Sequence, residues 1–463
     1  MYVSHVRTPR VAAIAALALA AACGKSDSGA TAKGPDSTAS ATATPAASAP
    51  AACANGTAEL TLPAGFCATV FADSIAHARH AVVASNGDVY VTIEGTAPSA
   101  EKQISGADKG APPPASFVAL RDTNHDGHAD IIKRVGSIGN TGITIANGYL
   151  YVDEGKQIVR YARADSELVP AGKREVVVAG IPLNGDHRAR NIAIGPDGAL
   201  YMNVGSATNS CQVKDRTPNS PGHDPCVELE TRAGWWKYDA NKTNQQFSKA
   251  ERFATGIRNG MGMAFGPDGK LYGTQHGRDG LYDNWKSIFP TTQYQAENPA
   301  EEFIQVNQGD DFGWPYCYYA VDQKKLVDAP EYGGDGKKSV RCDSKKEPVV
   351  AYPGHWAPMS LLFYSGSTFP ARYKNGAFIA FHGSWNRAPE PQAGYRVVFQ
   401  PMTNGAGSGN YETFADGFAQ VSGPQLQPGT AKHRPTGLAQ GPDGSLIVTD
   451  DMGGRVYRIT YGK

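Results

Sequence analysis

An aspartate and a histidine stand side by side, Asp186 and His187, shortly before an apolar segment that begins at Asn191. An imidazole is the group that most often removes protons near neutral pH, and a carboxylate beside it can hold the ring in one orientation. The pair therefore predicts proton abstraction, with His187 as the base and Asp186 as its partner. A single histidine is also commonly structural, and the sequence leaves that alternative open.

Arginines recur at the start of several apolar segments, and four of them occupy equivalent positions: Arg79, Arg190, Arg258 and Arg434. If these segments meet around one axis, the four guanidinium groups surround a common ligand, and guanidinium binds carboxylates through two parallel hydrogen bonds. The arginines thus predict a site for an anion with several carboxylates. The alternative is that each arginine forms an ion pair with an acid of a neighbouring segment.

Side chains with oxygen ligands alternate along the segment that contains Asp122, Asn124, Asp126 and Asp130, with a glycine at the sixth position. This order favours a structural calcium loop. The twelfth position is Lys133 instead of a bidentate glutamate, so the segment is not a complete EF-hand. An acidic, solvated turn is the alternative.

A recurring unit must position these residues: an apolar strand, a tight turn that often reads Pro-Asp-Gly, and a second apolar strand. Proline presets the first dihedral angle of the turn, and glycine adopts the positive φ that closes the hairpin. Copies begin near residues 80, 142, 191, 261, 361 and 436. Such spacing indicates propeller blades, because each unit must bury apolar side chains against its neighbours. We predict an all-β, six-bladed β-propeller over residues 53–463, with a β-sandwich as the alternative.

The composition is typical of a turn-rich β protein, with 53 glycines, 31 prolines and 21 tyrosines among 463 residues. Lysine plus arginine and aspartate plus glutamate each number 44, so the formal net charge is zero. A chain without a basic surplus is not expected to bind nucleic acid. Recognition of a charged ligand must therefore be local.

The N-terminal segment is typical of an export signal. Basic residues precede an apolar run from Val11 to Ala22, which is too short to span a bilayer. The run ends in Leu19-Ala-Ala-Ala-Cys23, which resembles a bacterial lipobox. We expect residues 1–23 to be a lipoprotein signal peptide with lipid on Cys23, and residues 24–52 to be a disordered tether. These features predict an exported bacterial protein, periplasmic or on the cell surface, that contacts the membrane only through its lipid; a plain secretory peptide is the alternative.

Six cysteines remain after Cys23, and they fall into three pairs of near neighbours: Cys53 with Cys67, Cys211 with Cys226, and Cys317 with Cys342. An even number of cysteines suits an oxidising compartment. We expect these nearest-neighbour disulfides because each one closes a short local loop. Zinc binding is disfavoured, since no Cys-x-x-Cys pair occurs.

Five separated segments resemble, in the same order, the soluble quinoprotein sugar dehydrogenases, especially the sorbosone dehydrogenase branch. They are GDHRARNIAIGPDGALY, GIRNGMGMAFGPDGKLY, QHGRDG, AEEFIQVNQGDDFGWPYC and HRPTGLAQGPDGSLIVTDD, and the resemblance runs from about residue 57 to residue 463. It implies that pyrroloquinoline quinone (PQQ) lies across the mouth of the central channel of the predicted propeller, with calcium beside its C5 carbonyl. It also implies that His187 takes the proton from a sugar hydroxyl while hydride moves to C5 of the quinone.

The same resemblance implies roles for single residues around the cofactor. Arg258, in the matching pair with Asn259, would stabilise negative charge on the reduced quinone. Arg434 would bind a cofactor carboxylate. The backbone carbonyls of Gly277 and Arg278 would ligate the calcium ion, which prefers hard oxygen ligands and acts as a Lewis acid.

The chain departs from the glucose dehydrogenase branch at several of these positions. Where that branch has Gln-Gly-Pro, this chain has Gln275 and His276 before its glycine. Glu301 and Glu302 replace an Asp-Glu pair, and we expect Glu301 to contribute to the calcium site.

Two further segments supply candidate contacts. His355 and Trp356 replace the small polar residue and its neighbour that are expected over the cofactor. The segment His382-Gly-Ser-Trp-Asn-Arg387 follows the fifth copy of the repeat, and either ligand contact or packing explains it. We expect the cofactor to contact Gln275, His276, His355 and Arg387.

These observations favour calcium-assisted, PQQ-dependent oxidation of an aldose, a pyranose or a sugar aldehyde such as sorbosone, with an electron acceptor that the sequence does not identify. A non-catalytic propeller is one alternative, because the fold also serves as a binding platform. The joint presence of His187, Arg258 and Arg434 argues against it. A calcium-dependent lactonase is the other alternative, but it requires several carboxylates and amides on one metal, whereas the predicted channel mouth is cationic.

Overall fold

The computed structural model describes Cys53, residues 56–94 and residues 114–462. The predicted signal peptide, the lipidation site at Cys23 and the predicted tether lie outside the described residues. No helix in the described part is long and apolar enough to cross a membrane.

Most of the described chain is β-strand. In chain order the first strands are β1 (Phe66–Ala72), β2 (Ala78–Val83), β3 (Val89–Ile93), β4 (Phe117–Arg121), β5 (Ile131–Val135), β6 (Ile143–Ala146), β7 (Tyr149–Asp153), β8 (Gln157–Ala162), β9 (Arg174–Ala179), β10 (Ile192–Ile194), β11 (Ala199–Val204), β12 (Gly234–Asp239), β13 (Gln245–Gln246) and β14 (Arg252–Thr255). The remaining strands are β15 (Gly260–Phe265), β16 (Leu271–Gln275), β17 (Glu301–Val306), β18 (Cys317–Ala320), β19 (Lys325–Asp328), β20 (Val350–Tyr352), β21 (Pro358–Phe363), β22 (Gly376–Phe381), β23 (Arg396–Thr403), β24 (Ala406–Gly407), β25 (Glu412–Ala415), β26 (Pro435–Gln440), β27 (Leu446–Asp450) and β28 (Val456–Tyr461).

Helical segments in the described part are short. The α-helices there are α1 (Leu281–Asn284) and α2 (Thr292–Glu297). The 3-10 helices there are Val227–Glu230, Lys249–Glu251, Pro330–Tyr332, Ala371–Lys374 and Gly423–Gln425.

The strands assemble into six blades and one separate hairpin. Blade 1 contains β2 to β5, blade 2 contains β6 to β9 with β13 added, and blade 3 contains β10, β11, β12 and β14. Blade 4 contains β15, β16, β17 and β20, blade 5 contains β21 to β25, and blade 6 contains β26 to β28 with β1. The first strands of neighbouring blades contact one another and therefore surround a common axis. This confirms the predicted all-β, six-bladed propeller.

The ring closes by joining the two ends of the described chain in one sheet. Strand β1 pairs antiparallel with β28, so an N-terminal strand completes blade 6. This pairing makes β1 the outer strand of blade 6, in the order β1-β28-β27-β26. The Cys53–Cys67 disulfide attaches the chain upstream of the propeller to β1.

Packing between blades follows the two-residue period of the strands. Trp235 belongs to a hydrophobic cluster shared with Met263 of blade 4, whereas its neighbour Trp236 belongs to another cluster shared with Val178 of blade 2. Successive side chains of a strand point to opposite faces of the sheet, so one strand stabilises two blade interfaces. Each blade therefore depends on its neighbours for burial.

The turns within the blades have the geometry that their sequence predicts. Gly198 and Gly269, the glycines of two Pro-Asp-Gly turns, both have φ near +74°. Residues other than glycine rarely adopt a positive φ, which explains why glycine recurs at this position.

All three predicted disulfides are present: Cys53–Cys67, Cys211–Cys226 and Cys317–Cys342. The Cys317–Cys342 bond ties the end of an inserted segment in blade 4 to its hairpin of β18 and β19. The Cys211–Cys226 bond closes the loop between β11 and β12, next to the cavity described below.

Candidate active site

A cavity of about 600 Å³ lies on one face of the propeller. In an antiparallel blade the first strand begins at the same edge where the second strand ends, so the loops at these points in blades 3, 4 and 5 meet on one face. The cavity is lined by Gly185, Asp186, His187, Arg188, Arg216, Arg258, Asn259, His276, Gly277, Asp279, Glu301, His355, Ala357, Ser384, Trp385 and Asn386.

The cavity brings together many of the predicted site residues: Asp186, His187, Arg258, Asn259, His276, Gly277, Glu301 and His355. Gln275 is buried behind them. Its Oε1 accepts the backbone N–H of Arg258 at 3.1 Å, and its Nε2 donates to Glu302 at 2.7 Å. Gln275 therefore supports the loop that carries Arg258 instead of lining the cavity.

His187 is oriented by Ser206 and not by Asp186, which corrects the sequence-based assignment. The Nδ1 atom of His187 lies 2.8 Å from the Ser206 hydroxyl oxygen and 3.1 Å from the Ser206 carbonyl oxygen. Asp186 accepts instead from the Arg216 guanidinium at 3.1 Å. The reason is backbone pairing, since the N–H groups of Asp186 and His187 donate to the carbonyls of Ala207 and Ser206 at 2.9 and 3.3 Å.

The His187 imidazole is suited to accept a proton. Burial, and then the positive charge of Arg258, lowers the pKa of His187 well below its ordinary value. The ring is therefore neutral at neutral pH, and one of its nitrogens has a free lone pair.

Arg258 is almost completely buried, and protein groups hold its guanidinium on three sides. Its Nε donates to the Asn209 carbonyl at 3.0 Å, and Nη1 donates to the Gly277 carbonyl at 2.8 Å. Its Nη2 donates to Asn209 Oδ1 and to Asp279 Oδ2, both at 2.9 Å. A guanidinium has five N–H groups. The second N–H group of Nη1 has no acceptor among the described residues and is available to a ligand.

Asp279 lies at the centre of the charged groups of the cavity. Its Oδ2 accepts from Arg258 at 2.9 Å and from Arg216 at 3.1 Å, and its Oδ1 accepts from Asn386 at 2.8 Å. Burial by itself would raise the pKa of Asp279, but the charges of Arg258 and Arg216 outweigh burial and hold the pKa well below its ordinary value. Asp279 is therefore a permanent anion that fixes both arginines.

Two adjacent glutamates are buried at the start of β17. The oxygens of Glu301 accept the backbone N–H groups of Ala357 and Gly277, each at 3.2 Å, and no basic side chain of the described residues forms an ion pair with it. Burial raises the pKa of Glu301 to about 8 and that of Glu302 to about 7. Because side chains alternate along a strand, only Glu301 lines the cavity, whereas Glu302 bonds to Gln275.

The other imidazoles of the cavity are held by backbone carbonyls. His276 Nε2 lies 3.0 Å from the Pro358 carbonyl oxygen, and His355 Nε2 lies 2.8 Å from that of Gln295. His276 Nδ1 consequently accepts from Asn259 Nδ2 at 3.3 Å, and burial lowers the pKa of His276 to about 3. The Oδ1 atom of Asn259 is buried and has no hydrogen-bond partner in the part of the chain that the structure describes.

Arg79 and Arg190 do not reach the cavity, which corrects their assignment to the cofactor. Arg190 is 1% exposed and donates to Asp153 of blade 2 at 2.8 Å. Arg79 donates to Asp451 of blade 6 at 2.9 Å and to Thr141 at 3.3 Å. The ion-pair alternative therefore describes both residues, because a buried guanidinium must be neutralised by whichever acid the adjacent blade supplies.

Three further predicted residues also lie outside the cavity lining. Arg434 donates to backbone carbonyls of blade 5 at 3.2 and 2.6 Å, and its binding of a cofactor carboxylate stays a prediction. Arg387 forms an ion pair with Glu297. The side chain of Arg278 forms an ion pair with buried Glu331, so its backbone carbonyl alone remains a candidate calcium ligand.

The loop from Asp122 to Asp130 satisfies its own backbone. Asp122 accepts the N–H groups of His125 and Gly127 at 2.7 and 2.9 Å, and Asp130 accepts that of Thr123 at 2.6 Å. These carboxylates do not converge into a cluster of metal ligands within the described residues. Calcium binding by the loop, through Asn124 and Asp126 as well, stays a prediction.

The described residues contain one cluster of three potential metal ligands, which consists of Cys317, Asp328 and Cys342. The two cysteines form a disulfide, so neither sulfur is free to bind a metal.

Several functional residues were not predicted from the sequence. Asp279 lies inside the segment QHGRDG and Trp385 inside HGSWNR, so local motifs pointed to their neighbourhood but not to their roles. Ser206 and Asn209 lie in the plain polar stretch Ser-Ala-Thr-Asn, which carries no local signal. Only their contacts with His187 and Arg258 identify them.

A sequence profile of the TrAA12-like family matches residues 60–462. Over 241 residues the chain is 27% identical to the pyrroloquinoline quinone-dependent pyranose dehydrogenase of Coprinopsis cinerea, which covers 44% of this chain and 30% of that protein. Over 178 residues it is 24% identical to quinoprotein glucose dehydrogenase B of Acinetobacter calcoaceticus, which covers 36% of this chain and 33% of that protein. The chain thus matches about a third of the length of each of these curated relatives.

Solved structures with the same architecture include the holo form of the pyranose dehydrogenase PQQ domain from Coprinopsis cinerea. It has a TM-score of 0.65 and 18% identity, and the match covers 87% of this chain and 97% of that one. The calcium structure of the Trichoderma reesei carbohydrate-active enzyme of family AA12 has a TM-score of 0.68 and 16% identity, and covers 87% of this chain and 97% of that one. At these identities the likeness establishes the propeller fold.

Proposed function

Because the chain belongs to the TrAA12-like family, we propose that it is a PQQ-dependent oxidoreductase that oxidises sugars. Two of the similar proteins are named as PQQ-dependent pyranose dehydrogenase and quinoprotein glucose dehydrogenase, which supports this proposal. The finer proposal is oxidation of an aldose, a pyranose or a sorbosone-like sugar aldehyde.

One observation carries this proposal: a neutral imidazole and an uncommitted guanidinium N–H, from His187 and Arg258, line the same cavity. Oxidation of a sugar hydroxyl removes a proton and transfers negative charge to an acceptor. A base and a preorganised cation in one cavity suit both requirements.

The residues of the cavity fit an anionic cofactor rich in oxygen atoms. Arg188, Arg216 and Arg258 line it, and guanidinium groups recognise carboxylates and carbonyl oxygens. The buried Oδ1 of Asn259 has no partner among the described residues, so a ligand that donates a hydrogen bond would satisfy it. We assign Arg258 and Asn259 as residues that hold the quinone.

The cavity also fits a calcium ion. A buried carboxylate without a cationic partner is unfavourable, as the raised pKa of Glu301 shows, and a divalent cation would remove that penalty. The Gly277 carbonyl beside it retains a second lone pair after accepting from Arg258. Carboxylate and carbonyl oxygens are the ligands that calcium prefers. We assign Glu301 and the carbonyls of Gly277 and Arg278 as residues that hold calcium.

When bound, the quinone supplies the hydride acceptor and calcium supplies the Lewis acid that polarises it. The protein contributes the proton acceptor and the electrostatic field. His187 removes the proton of the sugar hydroxyl, while the hydrogen on the same carbon leaves with its electron pair, so the C–OH group becomes C=O. Arg258 stabilises the negative charge that this oxidation creates, and Asp279 keeps Arg258 in place.

Replacing Glu301 with glutamine should weaken calcium binding about 10- to 100-fold, because the amide has nearly the same shape but no charge. Isothermal titration of the protein with calcium measures this loss directly. Glu302→Gln is the matched control, since Glu302 is equally buried but does not line the cavity. Equal calcium affinity in the two variants would remove Glu301 from the calcium site.

Trp385 should contribute to sugar binding. Its side chain lines the cavity and remains 45% exposed, which places an indole where a sugar ring can stack. We expect Trp385→Ala to raise KM for the sugar about 2- to 10-fold with little change in kcat, and Trp385→Phe to stay close to the unaltered protein. An unchanged KM in Trp385→Ala would place the sugar elsewhere.

The overall proposal is tested by adding PQQ and calcium, separately and together, to the purified full-length protein and measuring reduction of an artificial dye. The substrates are a panel of aldoses and sugar aldehydes that includes glucose and sorbosone. Dye reduction that requires PQQ supports the proposal and identifies the substrate. Absence of PQQ binding with calcium present would favour the non-catalytic propeller, and hydrolysis of a sugar lactone without PQQ would favour the lactonase.

We further propose that the protein is exported and anchored through lipid on Cys23, in the bacterial periplasm or on the cell surface. The lipobox-like segment before Cys23 supports this proposal. Mass spectrometry of the protein isolated from membranes would detect the acylated cysteine, and an unprocessed N-terminus would contradict the proposal.

A further inference from the structure

We propose that residues 206–209, which we call the positioning loop, fix both reactive groups of the cavity: Ser206 sets the tautomer of the neutral His187 ring, and Asn209 sets the orientation of Arg258. The inference rests on the proposed function for its chemical meaning. The orientation of the two side chains follows from their hydrogen bonds alone, whatever reaction the protein catalyses.

Ser206 determines, through its hydroxyl and its backbone carbonyl, which nitrogen of His187 carries the proton. This hydroxyl donates to the Thr208 carbonyl at 2.7 Å, so its oxygen can only accept from His187 Nδ1, which lies 2.8 Å away. The Ser206 carbonyl, 3.1 Å from the same nitrogen, is also only an acceptor. Nδ1 must therefore be protonated in the neutral ring, and the free lone pair is on Nε2. This is the nitrogen that has no partner among the described residues and is left to act as the base.

Asn209 joins Arg258 to the chain segment that carries Asp279. Asn209 is fully buried, its Oδ1 accepts from Arg258 at 2.9 Å and from the Asp279 backbone N–H at 2.8 Å, and its Nδ2 donates to the Asp279 carbonyl at 2.9 Å. Its own carbonyl accepts from Arg258 Nε at 3.0 Å and from the Trp314 indole, also at 3.0 Å. Every polar atom of the Asn209 side chain is thus engaged in holding the cation and its counter-ion at one separation.

The positioning loop is itself restrained, both in its middle and by the disulfide that follows it. Glu228 accepts the backbone N–H groups of Ala207 and Thr208 at 2.6 and 3.2 Å and also the Thr208 hydroxyl. The disulfide between Cys211 and Cys226 follows directly, and the N–H of Cys211 donates to Thr208 Oγ1 at 3.0 Å. A loop with this many fixed contacts is preorganised, which is the property that makes an orienting group effective.

Ser206→Ala and Asn209→Ala separate the two roles of the loop. In the cofactor-free protein, ¹⁵N NMR of the imidazoles should show His187 protonated at Nδ1, and Ser206→Ala should shift the Nδ1 resonance while the remaining Ser206 carbonyl keeps the proton on that nitrogen. Asn209→Ala should leave that signal unchanged but speed exchange of the Arg258 Nε–H with solvent. With PQQ bound, we expect each variant to lower kcat about 10- to 100-fold. Asn209→Ala alone should also weaken PQQ binding, while Ser206→Ala leaves it unchanged.

The matched control is Ser445→Ala, because Ser445 is also buried and its hydroxyl donates a hydrogen bond, to Asp443 at 2.7 Å, far along the chain in blade 6. It should lose similar stability and no activity. If His187 is protonated at Nε2, or if both NMR signals are unchanged in the variants, the role assigned to the positioning loop is wrong, whatever reaction the protein catalyses. If the NMR results are as expected but no PQQ-dependent turnover occurs, the loop stands and the proposed reaction falls.

Discussion

Replacing His187 with glutamine should almost abolish turnover, lowering kcat by about 100- to 10,000-fold while PQQ binding stays nearly intact. Glutamine fills a similar volume and can still bond to Ser206, but it cannot accept a proton from a sugar hydroxyl. Dye reduction at saturating sugar measures the loss, and titration with PQQ in the absence of sugar verifies that the cofactor still binds.

The pH dependence of the unaltered protein belongs to the same prediction. Burial and the charge of Arg258 lower the pKa of His187 below its ordinary value of 6.5. A base is active when deprotonated, so at saturating calcium, which holds Glu301 ionised, kcat/KM should fall on acidification only below pH 6.5 and stay constant from there to neutral pH. An acidic limb above that value, or unchanged activity in His187→Gln, would show that another group is the base.

His80→Gln is the control for this experiment. His80 is a buried histidine whose Nε2 lies 2.8 Å from a backbone carbonyl, as in the imidazoles of the cavity, but it does not line that cavity. We expect this variant to lose stability without losing turnover per folded molecule. A similar loss of kcat in both variants would indicate a general effect of removing a buried imidazole.

Replacing Arg258 with alanine should lower kcat by about 100- to 1,000-fold, because it removes a preorganised donor from the place where negative charge develops. It should also weaken PQQ binding. The variant leaves Asp279 with Arg216 as its remaining cationic partner, so part of the effect will come from movement of that carboxylate. Arg258→Lys should recover little, because a lysine is a point charge that cannot bond to Asn209 and Asp279 together.

The control for Arg258 is Arg160→Ala. Arg160 is also largely buried and forms an ion pair with Glu175 at 2.7 Å, but it lies in blade 2 outside the cavity. Thermal unfolding should show a similar loss of stability in both variants, and kinetics should show a loss of kcat in Arg258→Ala alone. Equal kinetic effects would mean that Arg258 serves the fold and not the reaction.

The blade pattern could be predicted from the sequence because its determinants are local. The alternation of apolar residues and the positive φ of glycines such as Gly198 and Gly269 are properties of a few consecutive residues. The three disulfides were predictable for the same reason, since each joins cysteines that are near neighbours in the chain. His187 and Arg258 could be chosen as candidates because they lie shortly before repeated strands, and both line the cavity.

The partners of those residues could not be predicted, since they depend on which chain segments the blades bring together. Asp186 is adjacent to His187 in sequence, yet Ser206 bonds to the ring because β10 and β11 continue as a paired backbone beyond their ends. Arg79, Arg190 and Arg258 occupy equivalent sequence positions. Arg79 and Arg190 form ion pairs with buried acids of other blades, whereas Arg258 pairs with Asp279 and lines the cavity.

The amino-acid sequence by itself therefore determined the number of blades and the disulfides, and it singled out His187 and Arg258 as the candidate base and cation. Only the tertiary structure decided which arginines face the cavity, which group orients His187, and that Asp279 and Asn209 hold Arg258. The physical reason is the range of the interactions. Turn geometry and strand alternation act over a few residues, whereas a buried charge or imidazole is satisfied by whichever polar group the fold places within about 3 Å of it.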